Sequence, residues 1–484
     1  MNTESYYLAL YYTGCMENPF ATERFRNLPE EGLTQIYRNP RIKLPFDPKD
    51  LALFLDRKNG KVSLRSLPYH HRSADLGIST IIREKDKMRS NVYCQFDVKG
   101  GGFLFPESHE SKKVGVTAGD LADSPEAYLF PDSPETPWGY DALGLFDERM
   151  AQGTIKRADQ LSALGMRTEA VVAMYRTDRI FLNGTEVPIK DFKQEAIERI
   201  RALAKEAESV EEKDRYRHMV KDIHEMFDPV VMVRVMRSVF RLRDFTDGTR
   251  EQQLAMLEEA CQNVNYEQAT LGLLNRFNVK TSEGREAFLE FIANWYGKNA
   301  GILHGEGFVH IFLHRGNLTL AGEIVDLDSV HPMLKRIVFH GKPENKSRWM
   351  SEQQIDQPFT KATNEGCVII NPDVGLHRQP DERFRLPKCF VKDIRDLCFS
   401  LRMVLKEDWF KEQKNTQIHK RISQGLIKGY LDGLNQQSPL QAIGISREQM
   451  IEAFEAIANE VVRDGKNMSP IPPDEETEAT RHDA

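Results

Sequence analysis

The most constraining feature of this chain is a run near residue 310: His304-Gly305-Glu306, then His314-Arg315-Gly316-Asn317, then Leu318-Thr319-Leu320-Ala321-Gly322-Glu323-Ile324-Val325-Asp326-Leu327-Asp328. It reads as a loop, a short strand, a turn at Gly322 and a second strand whose apolar pair Ile324-Val325 delivers Asp326 to its end. An amide and a carboxylate on the two arms of one hairpin are the oxygen donors with which kinase-type folds hold the magnesium that bridges nucleotide phosphates. An Asn in a turn and an Asp after a strand are also ordinary punctuation, so other segments must decide.

A length of 484 residues allows two or three domains, or one elaborated two-lobed enzyme. With 40% hydrophobic and 29% charged residues, a sizeable core is possible. The net charge of -7 and pI near 6.1 argue against a broad nucleic-acid surface. No nucleic-acid partner is expected, and any phosphate site must be a concentrated basic pocket. The six cysteines are scattered, with no CxxC pair, which suits reduced thiols rather than a disulfide framework or a structural zinc. No basic region precedes an apolar run at the N-terminus, and no stretch approaches the roughly 18 apolar residues of a membrane span. The expectation is a cytoplasmic protein without a membrane partner.

The organisation expected is α+β. Residues 1–70 read as an N-terminal extension, and 71–190 as a β-rich lobe with an insertion near 103–138. Residues 191–465 read as a mainly helical lobe, and 466–484 as a disordered acidic tail. β-Branched and aromatic content marks strands at 76–82 and 91–98, followed by Lys99-Gly100-Gly101-Gly102, and a further strand at 170–175 after a helix that stops at Gly165. Asn183-Gly184 signals a hairpin turn. Helical spacing recurs in the charge-dense stretch 190–226 and at 251–260, 282–298, 393–405, 416–434 and 446–462.

Several side chains could carry chemistry. Lys99, projecting from a strand end beside glycines that let backbone approach a ligand, can contact phosphate; a solvated Lys at a Gly-rich strand end is the alternative. The segment from Val230 to Phe245 embeds Arg234, Arg237, Arg241 and Arg243 among apolar residues, as a phosphate pocket would, or as partners for the acidic helices upstream. HExxH spacing is absent around His304, Glu306, His310 and His314, and Gly305 and Gly307 make this a loop, so zinc is not expected there. Glu306 and His314 are candidate proton acceptors. Asp328 is either a second carboxylate near the metal or a solvated turn residue.

Lys99-Gly100-Gly101-Gly102, then Arg234 with Ser238, Arg241 and Phe245, then a His304-Gly305 loop leading to Asn317 and Asp326 occur in one order. In that order the chain resembles the selenoprotein O family of kinase-like proteins, between Lys99 and Asp328. The resemblance implies a bilobal protein-kinase-like fold with a β-rich N-lobe, a mostly helical C-lobe and terminal extensions, holding ATP in a flipped orientation. It implies ATP-binding roles for Lys99, Gly100, Gly101, Asp141, Arg234 and Arg241, and Mg²⁺ (or Mn²⁺) held by Asn317 and Asp326. The reaction implied is transfer of AMP to Ser, Thr or Tyr hydroxyls of a protein substrate. Kinase-type phosphoryl transfer and a non-catalytic ATP-binding regulator are the alternatives.

The chain departs from the family pattern at Gly316, where the family has its proton-accepting Asp immediately before the metal Asn. The His-Gly to Asn loop is longer, so the base has moved to Glu306 or His314, or been lost. The family's Gly-Asp-Gly-Arg stretch is degraded to Gly139-Tyr140-Asp141-Ala142-Leu143-Gly144, leaving Glu148 or Asp159 as the carboxylate to pair with Lys99. The family's cysteine or selenocysteine near the C-terminus is missing too. Oligomeric state is not legible at this level.

Overall fold

A computed structural model describes residues between 32 and 463, apart from internal stretches of which 62–72, 101–145, 221–228, 338–359 and 435–445 are the longest. The expected insertion at 103–138 and acidic tail at 466–484 lie outside the described residues, as does most of the N-terminal extension.

The chain is α+β, with a six-stranded antiparallel sheet as the largest among the described residues and a body of helices. The sheet is built from β1 (Leu33–Arg38), β2 (Ser73–Lys85), β3 (Ser90–Lys99), β4 (Ala170–Thr177) and β5 (Pro229–Met236), in the order β1-β4-β5-β3-β2. A two-residue strand, Phe146–Asp147, pairs with the start of β5. Helix α1 (Glu148–Ala163) lies between β3 and β4 in sequence, and β5 is inserted between β3 and β4 in space. A strand ending in Lys, a helix and then two strands, the last beside the Lys strand, is the order of a kinase-type nucleotide lobe. The central strands are buried on both faces: Val92 to Gly100 and Pro229 to Met236 are all inaccessible, which is why β5 reads as a continuous apolar run and not as an alternation.

The hairpins expected at 76–98 and 180–187 form, although Asn183 and Gly184 themselves are outside the described residues. The expected helix ending at Gly165 begins earlier than its apolar signal, at Glu148, and stops where Gly165 adopts φ +90°. Helix α2 (Ile189–Glu206) is the charge-dense, exposed helix read from the sequence.

Two boundaries need correction. β1 comes from the presumed extension and β5 from beyond residue 190, yet both are strands of the one sheet. Sheet and helices therefore part at the linker 237–241, not at 190. The second correction concerns His304-Gly305, which is not a loop: it forms the last turn of a helix.

The helical body comprises α3 (Leu242–Asp247), α4 (Arg250–Thr270), α5 (Ser282–Gly305), α6 (Lys388–Leu405), α7 (Thr416–Gly433) and α8 (Arg447–Ala458). Side-chain caps start several of them. Thr249 and Gln252 close a capping box on α4, Ser446 and Gln449 do so on α8, and Thr281 caps α5. The hairpin residues Leu318, Leu320, Ala321, Ile324 and Val325 are part of this helical core. The hairpin from Asn317 to Asp326 thus hangs from the helical body and turns its end towards the sheet. Cys94, Cys261, Cys389 and Cys398 are buried. No described helix is long and apolar enough to cross a membrane.

Helices α5 and α7 meet along a seam of glycines. A Cβ on Gly297 would lie 2.0 Å from the Leu426 carbonyl oxygen, one on Gly429 1.9 Å from that of Asn294, and one on Gly433 2.1 Å from that of Lys298. The obstacles are backbone atoms, so the helices themselves would have to separate. Gly429→Ala is expected to cost about 1–3 kcal/mol by overpacking, outweighing the roughly 1 kcal/mol that Ala gains in helix propensity. Denaturant unfolding checks this, and an unchanged or raised midpoint would contradict the close approach.

Candidate functional site

The site forms where the end of β3 meets the end of the hairpin. Lys99 is the last residue of β3, and its Nζ lies 2.5 Å from Asp326 Oδ1 and 3.0 Å from Asp328 Oδ1. The Phe146 ring covers the ammonium at 4.4 Å. Glu148 and Asp159, the two expected partners of Lys99, are engaged elsewhere: Glu148 with Arg176 and Asp159 with Arg41. Helix α1 instead sends Arg157 to the carbonyls of Leu327 and Asp328, at 3.2 and 3.5 Å. Asp328 is thus not a solvated turn residue: its side chain is 6% exposed and paired with Lys99.

Asp326 is held in the left-handed region at φ 67°, ψ 51°, the one described non-glycine residue with positive φ. That conformation costs free energy in an Asp and is found where surrounding structure over-determines it. Here the hairpin does so: Val325 N–H donates to the Asn317 carbonyl at 3.0 Å, Thr319 N–H to the Glu323 carbonyl at 3.0 Å, and Gly322 turns the chain at φ +79°. The Val325 bond brings Asn317 alongside Asp326. Asn317 Nδ2 donates to the Phe312 carbonyl at 3.0 Å, which orients its amide oxygen as the remaining donor atom.

These residues fit a hard divalent cation. Asn317, Asp326 and Asp328 offer only oxygen donors, as Mg²⁺ and Mn²⁺ prefer. Among the described residues no three His, Cys, Asp or Glu side chains gather as a metal cage. Two carboxylates and an amide oxygen are the donor set that suits Mg²⁺, which is held by one or two carboxylates and completed by water and substrate phosphate.

The remaining expected site residues fall out differently. Arg234 is wholly buried, opposite Asp97 in the β5–β3 register. Its Nη2 donates to Asp97 at 2.7 Å and its Nη1 to Glu169 at 2.7 Å. Burial opposes its charge, but Asp97 and Glu169 outweigh that and raise its pKa. The guanidinium thus serves two carboxylates inside the lobe, a structural role where phosphate binding was expected. Glu169 Oε1 is buried without a hydrogen-bond partner, and burial raises this carboxyl's pKa against the pull of Arg234 and Lys99.

Arg241 stays at the rim, where its Nη1 donates to the Gly316 carbonyl at 2.7 Å. It holds the loop ahead of Asn317 and keeps further donors. Gly100 has φ +87°, and a Cβ there would lie 2.3 Å from the Val230 carbonyl oxygen. This glycine lets two strand ends pack closely. Gly101 and Asp141 lie outside the described residues.

The two candidate bases have different surroundings. Glu306 forms the C-cap of α5. His314 accepts the Gly316 N–H on Nδ1 at 3.0 Å, and burial, reinforced by His310 and nearby cations, lowers its pKa to about 4. A neutral ring with its lone pair already taken makes a poor proton acceptor at neutral pH.

The sequence reading weighed His310 only as a metal ligand and missed its place in the loop. Its Nε2 lies 2.8 Å from the Val325 carbonyl oxygen, and its backbone N–H donates to Asp393 of α6 at 2.7 Å. It therefore anchors the loop beneath Asp326. His310-Ile311-Phe312-Leu313-His314-Arg315-Gly316-Asn317 keeps the spacing of the kinase loop His-Arg-Asp-Leu-x-x-x-Asn, with Phe312 where the catalytic Asp stands. The His-to-Asn spacing could have revealed it. His304, favoured as the loop's start, is instead a core residue of α5, 3.3 Å from the Tyr430 hydroxyl and 3.6 Å from Asp393.

Arg234→Met would leave Asp97 and Glu169 buried without their cation, at an expected cost of about 3–5 kcal/mol. Chemical denaturation measures this. Wild-type stability in the variant would contradict the structural role.

No family model matches this sequence, and no curated protein does. Among solved structures the chain is similar to the kinase domain of a Toxoplasma gondii specific rhoptry antigen, with 12% identity over 79% of this chain and 84% of that one and a TM-score of 0.25. At that level of overlap the likeness decides nothing about function, and the kinase-type order of elements is read from this chain's own strands and helices.

Proposed function

We propose that this chain is a Mg²⁺- or Mn²⁺-dependent transferase that binds ATP at Lys99, Asn317, Asp326 and Asp328 and modifies a hydroxyl group on a protein. One observation carries the reading: the Lys99 ammonium and the Asp326 and Asp328 carboxylates meet at one point, beside Asn317. A lysine for phosphate and oxygen donors for metal are what phosphoryl and nucleotidyl transfer require. Bound metal would neutralise charge developing on the phosphates. Lys99 would hold phosphate oxygens, Asn317 and the two Asp would orient the metal, and Arg241 would steady the Gly316 carbonyl.

AMP is the group suggested by the resemblance to selenoprotein O proteins. In that reaction the acceptor oxygen bonds to the α-phosphorus, the bond from that phosphorus to the bridging oxygen breaks, pyrophosphate departs with the electron pair, and the hydroxyl proton passes to solvent. Solvent is named because Phe312 replaces the loop carboxylate and His314 is neutral with its Nδ1 occupied. The same observation favours a second reading, a nucleotide-binding regulator without turnover.

Incubation with Mn²⁺ or Mg²⁺ and ATP labelled at either the α or the γ position separates these readings. Protein label from the α position only, abolished by Asp326→Ala, is the expected result. Label from γ only would make the chain a kinase. ATP-dependent thermal stabilisation with label from neither position would support the regulator and contradict the transferase.

A further inference from the structure

Glu169, just ahead of β4, is wholly buried and only half used. Its Oε2 accepts Arg234 Nη1 at 2.7 Å, while its Oε1 has no hydrogen-bond partner among the described residues. A buried carboxylate oxygen left without a donor is costly and rare in native proteins. The fold sets this oxygen beside the Lys99 cluster. Thr168 forms a parallel bridge with Ile324, and its hydroxyl donates to the Ile324 carbonyl at 2.5 Å, so Glu169 enters the sheet alongside the hairpin arm that ends in Asp326. On the other side Arg234 joins Glu169 to Asp97, and Asp97 and Lys99 are alternate residues of β3 whose side chains share one face. Burial raises the Glu169 pKa, and Arg234 and then Lys99 pull against that rise.

Two cations, Lys99 and Arg234, thus face four carboxylates, Asp97, Glu169, Asp326 and Asp328. A divalent ion on Asp326 and Asp328 would take both acceptors of the Lys99 ammonium and repel it. Water is a poor refuge, because the Lys99 side chain is 3% exposed and the Phe146 ring covers its ammonium. Of the two other carboxylates, Asp97 already accepts Arg234 Nε and Nη2 on its Oδ1, at 3.2 and 2.7 Å. Glu169 keeps one oxygen uncommitted.

We infer that Glu169 is a positioning residue for Lys99: when a divalent cation occupies Asp326 and Asp328, the ammonium moves from those carboxylates to Glu169 Oε1 and so opens the metal site. This rests on the metal reading of Asn317, Asp326 and Asp328. The movement needs only rotations of the flexible lysine stem, since Arg234 holds Glu169 in place. With one donor on Glu169, the ammonium keeps two for phosphate oxygens. Glu169 thereby fills the place that Glu148 and Asp159, paired with Arg176 and Arg41, leave empty.

A crystal structure of the wild-type chain with Mn²⁺ and no nucleotide tests this directly. Lys99 Nζ within about 3 Å of Glu169 Oε1 is expected. Nζ still on Asp326 or Asp328, on Asp97, or in solvent beside the bound ion would overturn the inference and leave the metal site intact. In solution, Mn²⁺ titrations followed by electron paramagnetic resonance compare wild type, Glu169→Gln, Lys99→Met and the double variant. Glu169→Gln is expected to weaken Mn²⁺ binding about tenfold, as loss of one charge-assisted hydrogen bond does, and to change it little once Lys99 is Met. Equal weakening in both backgrounds, or none in either, would overturn the inference, because a carboxylate that serves only Arg234 acts independently of Lys99. Absence of Mn²⁺ binding in all four proteins would overturn the metal reading and the inference with it.

Discussion

The Lys99 ammonium, lodged between the Asp326 and Asp328 carboxylates, ties the sheet to the hairpin of the helical body. Its side chain is only 3% exposed, so the tie sits in a low-dielectric setting where charges must be matched. Both partners depend on arrangements made elsewhere. Lys99 depends on β3 ending there, with Gly100 admitting the Val230 carbonyl. Asp326 depends on a left-handed backbone that His310, Asn317 and Gly322 impose from behind. A residue that a ligand would use for binding is thus, in this state, one of the bonds that close the cleft.

A second layer of buried charge supports the first. Arg167 and Arg237 share Glu267, Arg237 also reaches Glu323, and Glu323 grips the linker backbone. Such networks contribute little net stability compared with apolar packing, but losing one member leaves the others stranded. Their effect here is geometric. Linker, hairpin and sheet are fixed relative to one another by carboxylates and guanidiniums, which suits a site whose polar groups must stay in register.

Much of this was legible in the residues. Apolar periodicity located α4 to α8, and β-branched and aromatic content the strands β2 to β4, because these elements bury one face or both and the pattern follows from that; β5 was taken into the helical lobe. The Asn317 to Asp326 hairpin was legible because turn and strand chemistry are local. Arg234 was not, because an arginine in an apolar run looks alike whether it meets a phosphate or a carboxylate; only the β5–β3 register sets Asp97 opposite it. His304 was misread for a related reason: Gly305 reads as a loop residue, yet it ends a helix whose Gly297 and Gly301 serve the α5–α7 seam. Glu323 and Gln95, which accept the Arg237 and Val239 N–H groups of the linker, gave no signal, since a single Glu in a hairpin and a single Gln in a strand are ordinary until the linker is seen to need them.

The central claim is that Lys99 occupies carboxylates that a divalent cation would otherwise take. Mn²⁺ binding without nucleotide, followed by electron paramagnetic resonance of the free ion, compares wild type with Lys99→Met most directly. The account predicts tighter Mn²⁺ binding in the variant, because two carboxylates lose their competing ammonium. Equal or weaker binding in a folded Lys99→Met protein would contradict it.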